Sequence, residues 1–494
     1  MKKTSIALLA LIGPAFGQAP PGEASVLGNN RITQAQIEGG VYTLKQIRKT
    51  GMLIFSAPFN KHDGFGDGPI DPFNPDKTSP GNRPSVGHAS TGFLRTNGMD
   101  SQACQECHGV VSSATIPPTL GIGGAGFINN VAMPATKNWD LDDSDDNGYA
   151  AYDGRLINPP FLFGAGGVEL VGKEMTEDLQ DAKTLAFANP DTVIQLDTIG
   201  GVNFGTIVWD SGLGDFDYSD VEGVDNDLVV RPFGRKGDNS SIRKFDTGAI
   251  SFHQGMQPEE IVDDMDGDGV PDPGVDNDVD GDGIVNEITA GELSALHLFA
   301  VTADRPSGKR ILTNAEKDGK ATFNSLGCAT CHVPNIITRS RNLGVAFPEV
   351  ETDPSANVFF SIDLTNAPMK FRAIPGNGIL VNMFSDLKRH NLGAALTETT
   401  GDPNAGDFIT PRLWGVADSA PYLHDGRALT LTDAIIAHAG DAQFAKDNFD
   451  LLGASAQASL IGYLRTLNTP KNPFSDLTGV NTGGPFNDGI LTLK

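Results

Sequence analysis

Cys104-Gln-Glu-Cys107-His108 and Cys328-Ala-Thr-Cys331-His332 decide how this chain is read. Both have the form C-x-x-C-H, the attachment signal for a c-type haem. Two thiols add across the vinyl groups of one porphyrin, and the histidine that follows reaches the iron as its proximal ligand. These are the only four cysteines in 494 residues. A zinc site would need the four thiols to converge, and a redox dithiol does not require histidine after both pairs. The expected cofactors are two covalently bound haems c, held by Cys104, Cys107 and His108 and by Cys328, Cys331 and His332.

The chain is long enough for two or three domains with buried cores. Lys2-Lys3, the apolar run Ile6–Ile12 and the small residues around Ala15-Phe16-Gly17 read as a secretory leader over residues 1–17. The run is too short to span a bilayer, and no other stretch approaches a span. The expected location is therefore periplasmic or secreted, where covalent haem is attached. With every cysteine committed to haem, no disulfide remains to hold the fold. The formal net charge is −26. Such a chain repels nucleic acid and anionic membranes and attracts a basic partner, such as a small electron-donor cytochrome or cupredoxin.

Three acidic loops stand out. Asp143-x-Asp145-x-Asn147-Gly148 alternates oxygen ligands ahead of a tight turn. Asp264, Asp266 and Asp268 precede Gly269 and Asp272, and Asp278, Asp280 and Asp282 precede Gly283 and Glu287. Carboxylates so closely spaced repel one another unless a cation lies between them, so calcium with a structural role is expected.

Elsewhere, residues 18–50 carry little signal and Gly51–Asn97 reads as loop, with His62 and His88 in it. Residues 165–230 read as short β-like runs, Thr192–Leu196 and Val202–Trp209, between turns. Glu292–Ala300 is a helical stretch with His297 packed among apolar residues. Thr313-Asn-Ala-Glu316 is a capping box that opens a helix running into the second C-x-x-C-H motif. Ala454–Leu467 has helical spacing and closes the domain. The expected fold is mainly α with extensive loops and some β. It has two cytochrome c-like haem domains, residues 18–308, elaborated by insertions and acidic calcium-type loops, and 309–494.

Thr410-Pro-Arg-Leu-Trp-Gly415 and Ala420-Pro-Tyr-Leu-His424-Asp-Gly-Arg-Ala428 resemble the di-haem cytochrome c peroxidase superfamily, and its di-haem oxidoreductase branch most closely. Arg231–Asn239, Phe252-His253-Gln-Gly-Met-Gln257 and Phe384–His390 resemble the same branch. The resemblance covers most of residues 50–470. It implies two haem domains facing each other, with calcium nearby. One haem would take electrons and the other would meet hydrogen peroxide or another small oxidant.

His108 and His332 are proximal by the attachment motif itself. Where relatives carry the second ligand of the C-terminal haem, often methionine, this chain has His438; Met369 and Met383 are weaker candidates. Arg412 and Arg427 are candidates to pair haem propionates, and His390 and His424 to border a haem. Relatives have a distal histidine soon after the first motif, but Gly109–Lys137 contains none. The first iron is thus either five-coordinate or held by His253, His62 or His88. The candidate distal base is His253 or Glu259, with Glu260 as a further carboxylate nearby. The implied activity is peroxide reduction at the N-terminal haem, with electrons relayed by the C-terminal one. The alternatives are an enzyme that oxidises a protein or organic substrate, and an electron-transfer cytochrome without chemistry of its own.

Overall fold

The chain is described by a computed structural model for residues 23–28, 31–66, 103–108, 135–140, 151–155, 158–262, 283–397, 405–471 and 473–478. Among the described residues there are eleven α-helices and fourteen short strands. The strands pair into six antiparallel sheets of two or three. The content is therefore more evenly mixed than the mainly α reading of the sequence. Many of these strands are two or three residues long, too short for an alternating pattern to register.

The first core is built round helix Ala290–Val301, whose twelve residues are all buried. A mostly apolar helix buried on every side belongs inside, and among the described residues four helices pack on this one, Gln34–Glu38 being one of them through Gly291. Helix Leu44–Ser56 crosses it at Gly51, where an added Cβ would lie 2.1 Å from Ala295 O, and Phe55 packs on Phe299. Helix Ala165–Ala188 approaches through Gly166, where a Cβ would sit 2.2 Å from Val301 O. Helix Ile242–Ala249 packs on a third side through Arg243, which donates to Ser294 Oγ at 2.6 Å and to Ala290 O. His297 is wholly buried, and its Nε2 lies 3.0 Å from Glu169 Oε2.

The longest helix, Ala165–Ala188, lies where the sequence suggested only short β-like runs. Those runs do form strands, Ile194–Asp197 and Asn203–Asp210, with a third at Asp215–Asp217. Helices Gln34–Glu38 and Leu44–Ser56 occupy the stretch that carried little signal and enter the one read as loop.

A second, smaller core joins helix Asn314–Ser325 to helix Ala454–Leu464, with Phe323, Leu326, Phe449, Leu460, Tyr463 and Leu464 between them. The capping box at Thr313 and Glu316 opens the first of these helices. The two helices cross at Gly319, where a Cβ would lie 2.0 Å from Ser459 O. From the strands Ile336–Ile337, Asn342–Ala346, Val358–Asp363 and Ile379–Val381, the side chains of Ile336, Leu343, Val345, Ile362, Ile379 and Val381 enter the first core instead. Lys173 Nζ from the long helix donates to Gly344 O at 2.9 Å and fastens them there.

Candidate functional site

Both C-x-x-C-H motifs fold the same way. Cys104–Glu106 and Cys328–Thr330 are single 3-10 turns, and in each the histidine N–H donates to the carbonyl of the first cysteine, at 2.9 Å for His108 and 3.0 Å for His332. This turn brings the first cysteine and the histidine together, as one porphyrin requires.

The imidazoles share a second feature. His108 Nδ1 lies 2.8 Å from Pro160 O, His332 Nδ1 lies 3.2 Å from Phe384 O, and His438 Nδ1 lies 2.7 Å from Ala434 O. A carbonyl only accepts, so each Nδ1 carries the proton and each Nε2 keeps its lone pair. That is the tautomer a metal-ligating histidine needs, fixed by a backbone acceptor. Burial lowers the pKa of His108 and of His332 to about 4, so both rings stay neutral. The rings of His332 and His438 are 6.5 Å apart, centre to centre. Two imidazoles bound to one metal at about 2 Å each, from opposite sides, have centres about 6 Å apart. The pair therefore fits an iron between them.

Arg412 supplies a further sign of fit. Burial lowers its pKa to about 10, and its Nη1 donates to Pro232 O at 3.1 Å. Among the described residues no carboxylate pairs with it. Trp414, two residues on, has its Nε1 buried without an acceptor among the described residues. An anionic porphyrin propionate would give Arg412 its missing counter-charge. Arg427 differs, because its Nε already pairs with Asp425 Oδ2 at 2.5 Å.

The first motif meets residues 245–254. Phe245 stands edge-on to the His108 ring at 6.0 Å. His253 is close enough for its charge to lower the pKa of His108. Gln254 Nε2 lies 3.8 Å from Cys104 Sγ. His253 and Gln254 belong to a π-type turn, Ile250–Gln254, a backbone irregularity often found at functional sites. Asp246 follows Phe245; burial, and then the charge of Glu169, push its carboxyl well above the usual range. No sequence pattern pointed to Asp246, because its setting comes from burial beside Glu169 of another helix.

The remaining candidates are placed as follows. Glu259 Oε2 accepts from Ala290 N at 2.7 Å, capping the central helix, and Glu260 is paired with Arg243. His390 Nε2 lies 2.8 Å from Asp386 Oδ2, and its Nδ1 lies 3.9 Å from Cys331 Sγ. Burial opposes a charge on His390, but the bonds to Asp386 and Cys331 outweigh it and lift the pKa to about 10. His424 stacks on Phe408 at 4.3 Å. Met369 and Met383 are packed in the first core, and His62 is exposed. Glu287 is buried, and its Oε2 accepts from Gln257 N at 2.6 Å. Asp143, Asp145, Asn147, Asp264, Asp266, Asp268, Asp272, Asp278, Asp280, Asp282 and His88 lie outside the described residues, as does the leader.

Among solved structures, the chain is similar to a Kuenenia stuttgartiensis hydrazine synthase pressurised with xenon, at 19% identity and a TM-score of 0.22. That match takes in 36% of this chain and 55% of the other, so this chain spans only about half of its length. It is also similar to a MauG-like protein associated with microbial copper homeostasis, at 14% identity and a TM-score of 0.26, over 50% of this chain and 75% of the other. A search of curated proteins gave no sequence match. The family described as "Di-haem oxidoreductase, putative peroxidase" matches residues 153–467, well over half of the chain. The match takes in the second attachment motif, His253 and His438; the first motif precedes it. This chain belongs to the di-haem oxidoreductase family.

Proposed function

We propose that the protein is an exported oxidoreductase with two covalent haems c. In this reading it reduces hydrogen peroxide at the site of His108, with electrons relayed through the site of His332. The observation that carries the reading is the pair His332 and His438, with ring centres 6.5 Å apart and each Nδ1 bonded to a backbone carbonyl. Two imidazoles would close that iron to substrate and leave it to transfer electrons. Family membership supports an oxidoreductase at the coarse level. When bound, haem supplies a metal position for the oxidant and a store of electrons.

The chain's own residues do the rest. Pro160 O orients the His108 ring and raises its basicity as a ligand. A nitrogen of His253 takes the proton from the near oxygen of peroxide and delivers it to the far oxygen, so that water leaves. Two electrons and two protons complete the conversion of one peroxide to two waters. Glu259, assigned to this site from the sequence, acts through position: by capping Ala290 N it holds the segment that follows His253. Arg412 binds a propionate. A calcium ion on the acidic loops, with Glu287, would brace the same region. A small basic cytochrome or cupredoxin is the expected donor.

The test is peroxide consumption with a reduced small cytochrome as donor. The wild type is expected to turn over and His108→Gly to be inactive. His253→Ala should lose ~100-fold or more in kcat with its haem content intact. Unchanged turnover in His253→Ala would remove that residue as the base. A wild type with both haems and no peroxide turnover would instead favour oxidation of a protein or organic substrate, or simple electron transfer.

A further inference from the structure

We propose that Asn158 is a positioning residue for the His108 ligand, tying it to the other half of the molecule through a stiff two-proline strap. This rests on the reading of His108 as a haem ligand. The backbone N of Asn158 donates to His424 O at 2.7 Å, and its Nδ2 donates to Pro421 O at 2.8 Å and to Leu423 O at 2.9 Å. One side chain and its own amide thus hold three carbonyls of a four-residue turn. Leu423 in that turn has φ +72°, a left-handed conformation that an L-residue adopts at a cost and that the bonds from Asn158 stabilise.

Pro159 and Pro160 follow. Proline fixes φ near −65° and has no N–H to give away, so the two residues form a short rigid rod. At its far end Pro160 O accepts the proton of His108 Nδ1 at 2.8 Å. Beyond it, Phe161 closes over Gly415, where an added Cβ would lie 2.7 Å from the ring. The acceptor that fixes His108 is therefore clamped on both sides by residues of the second half, Pro421–His424 before it and Gly415 after it.

The same turn leads into helix Leu431–Ile436, and Ala434 O of that helix holds His438 Nδ1. A short run of chain, three hydrogen bonds and two prolines thus join the acceptor of His438 to the acceptor of His108. A displacement of the turn would move Pro160 O as a unit, since nothing between Asn158 and Pro160 can bend freely.

An Nδ1–H bonded to a carbonyl gives imidazole more anionic character, and this stabilises the ferric state of the iron it binds. Slackening the strap should therefore favour the ferrous state at the first haem alone. The experiment is a potentiometric titration of the holoprotein, following the two haems by their separate spectra, after haem content has been measured. Asn158→Leu stays close to the size and shape of asparagine, adds no charge, and loses both side-chain donor bonds. It is expected to raise the ferrous-to-ferric ratio of the N-terminal haem about three- to tenfold at fixed poise, ~28 to 59 mV. The C-terminal haem should be unmoved. Pro159→Gly leaves both bonded ends in place and frees only the rod, and it should shift the same haem in the same direction. Two haems with neither potential changed in Pro159→Gly, or with both shifted equally, would overturn the proposal and leave the haem assignment standing. Fewer than two haems in the wild type would overturn both.

Discussion

At the scale of single residues, a ligating histidine differs from a structural one in what its two nitrogens do. His108, His332 and His438 each spend Nδ1 on a backbone carbonyl. His297 uses Nε2 on Glu169, and His390 uses Nε2 on Asp386. The first set can offer Nε2 to iron, and the second has already committed it. On the proposed ligation by His438, replacing it by methionine should keep two axial side chains but favour the reduced metal, because thioether is the softer ligand. The midpoint potential of the C-terminal haem should rise by at least ~59 mV, a tenfold change in the ferrous-to-ferric ratio, in a redox titration. An unchanged potential would place His438 off the iron. The two C-x-x-C-H motifs were legible in the sequence by their fixed spacing, and each folds as a single turn. Arg412 was legible only as a candidate; that its guanidinium lacks a carboxylate partner among the described residues needed the fold.

Among the elements, glycine decides how closely helices cross. Gly319→Ala should destabilise the second core, since the new Cβ would meet Ser459 O at 2.0 Å. Helix propensity alone would favour alanine by ~1 kcal/mol, and overpacking costs ~1–3 kcal/mol, so the steric effect sets the sign. Gly248→Ala, also helical but with nothing within 4 Å, should stabilise by up to ~1 kcal/mol. Thermal unfolding of the two variants should shift in opposite directions. The helices that the sequence signalled had apolar periodicity or a recognised cap: Ala290–Val301, Asn314–Ser325 and Ala454–Leu464. Two others did carry a legible signal, the T-x-x-Q boxes at Thr33 and Thr43, each with both reciprocal bonds. The long helix Ala165–Ala188 was hidden because its first half is buried on nearly every side, leaving no polar stripe to mark a period, while Gly164, Gly166, Gly167 and Gly172 resembled a turn. Those glycines serve close packing, against Trp414, Val301, Phe371 and Pro232 respectively.

For the whole molecule, two cores of unequal size hold the two attachment motifs, and strands that follow the second motif in sequence pack on the first core. This interleaving was not legible, since nothing local in Ile336–Val381 says which helix it will cover. The charge was legible at once. With a net −26, electron delivery from a basic donor should be steered by long-range attraction. Raising the salt from ~0.01 to ~0.15 M shortens the Debye length from ~30 to ~8 Å, and the second-order rate should fall about tenfold or more in stopped-flow mixing. A salt-independent rate would mean that the charge serves solubility alone. The most direct test of the central claim is low-temperature EPR of the fully oxidised holoprotein with calcium present. The account gives one low-spin signal of bis-histidine type, from His332 and His438, beside one high-spin signal from an iron held by His108 and open to peroxide. Two low-spin signals in the oxidised protein, with the haem that stays ferric at half reduction still low-spin, would contradict it, and would make the molecule an electron carrier with both irons closed.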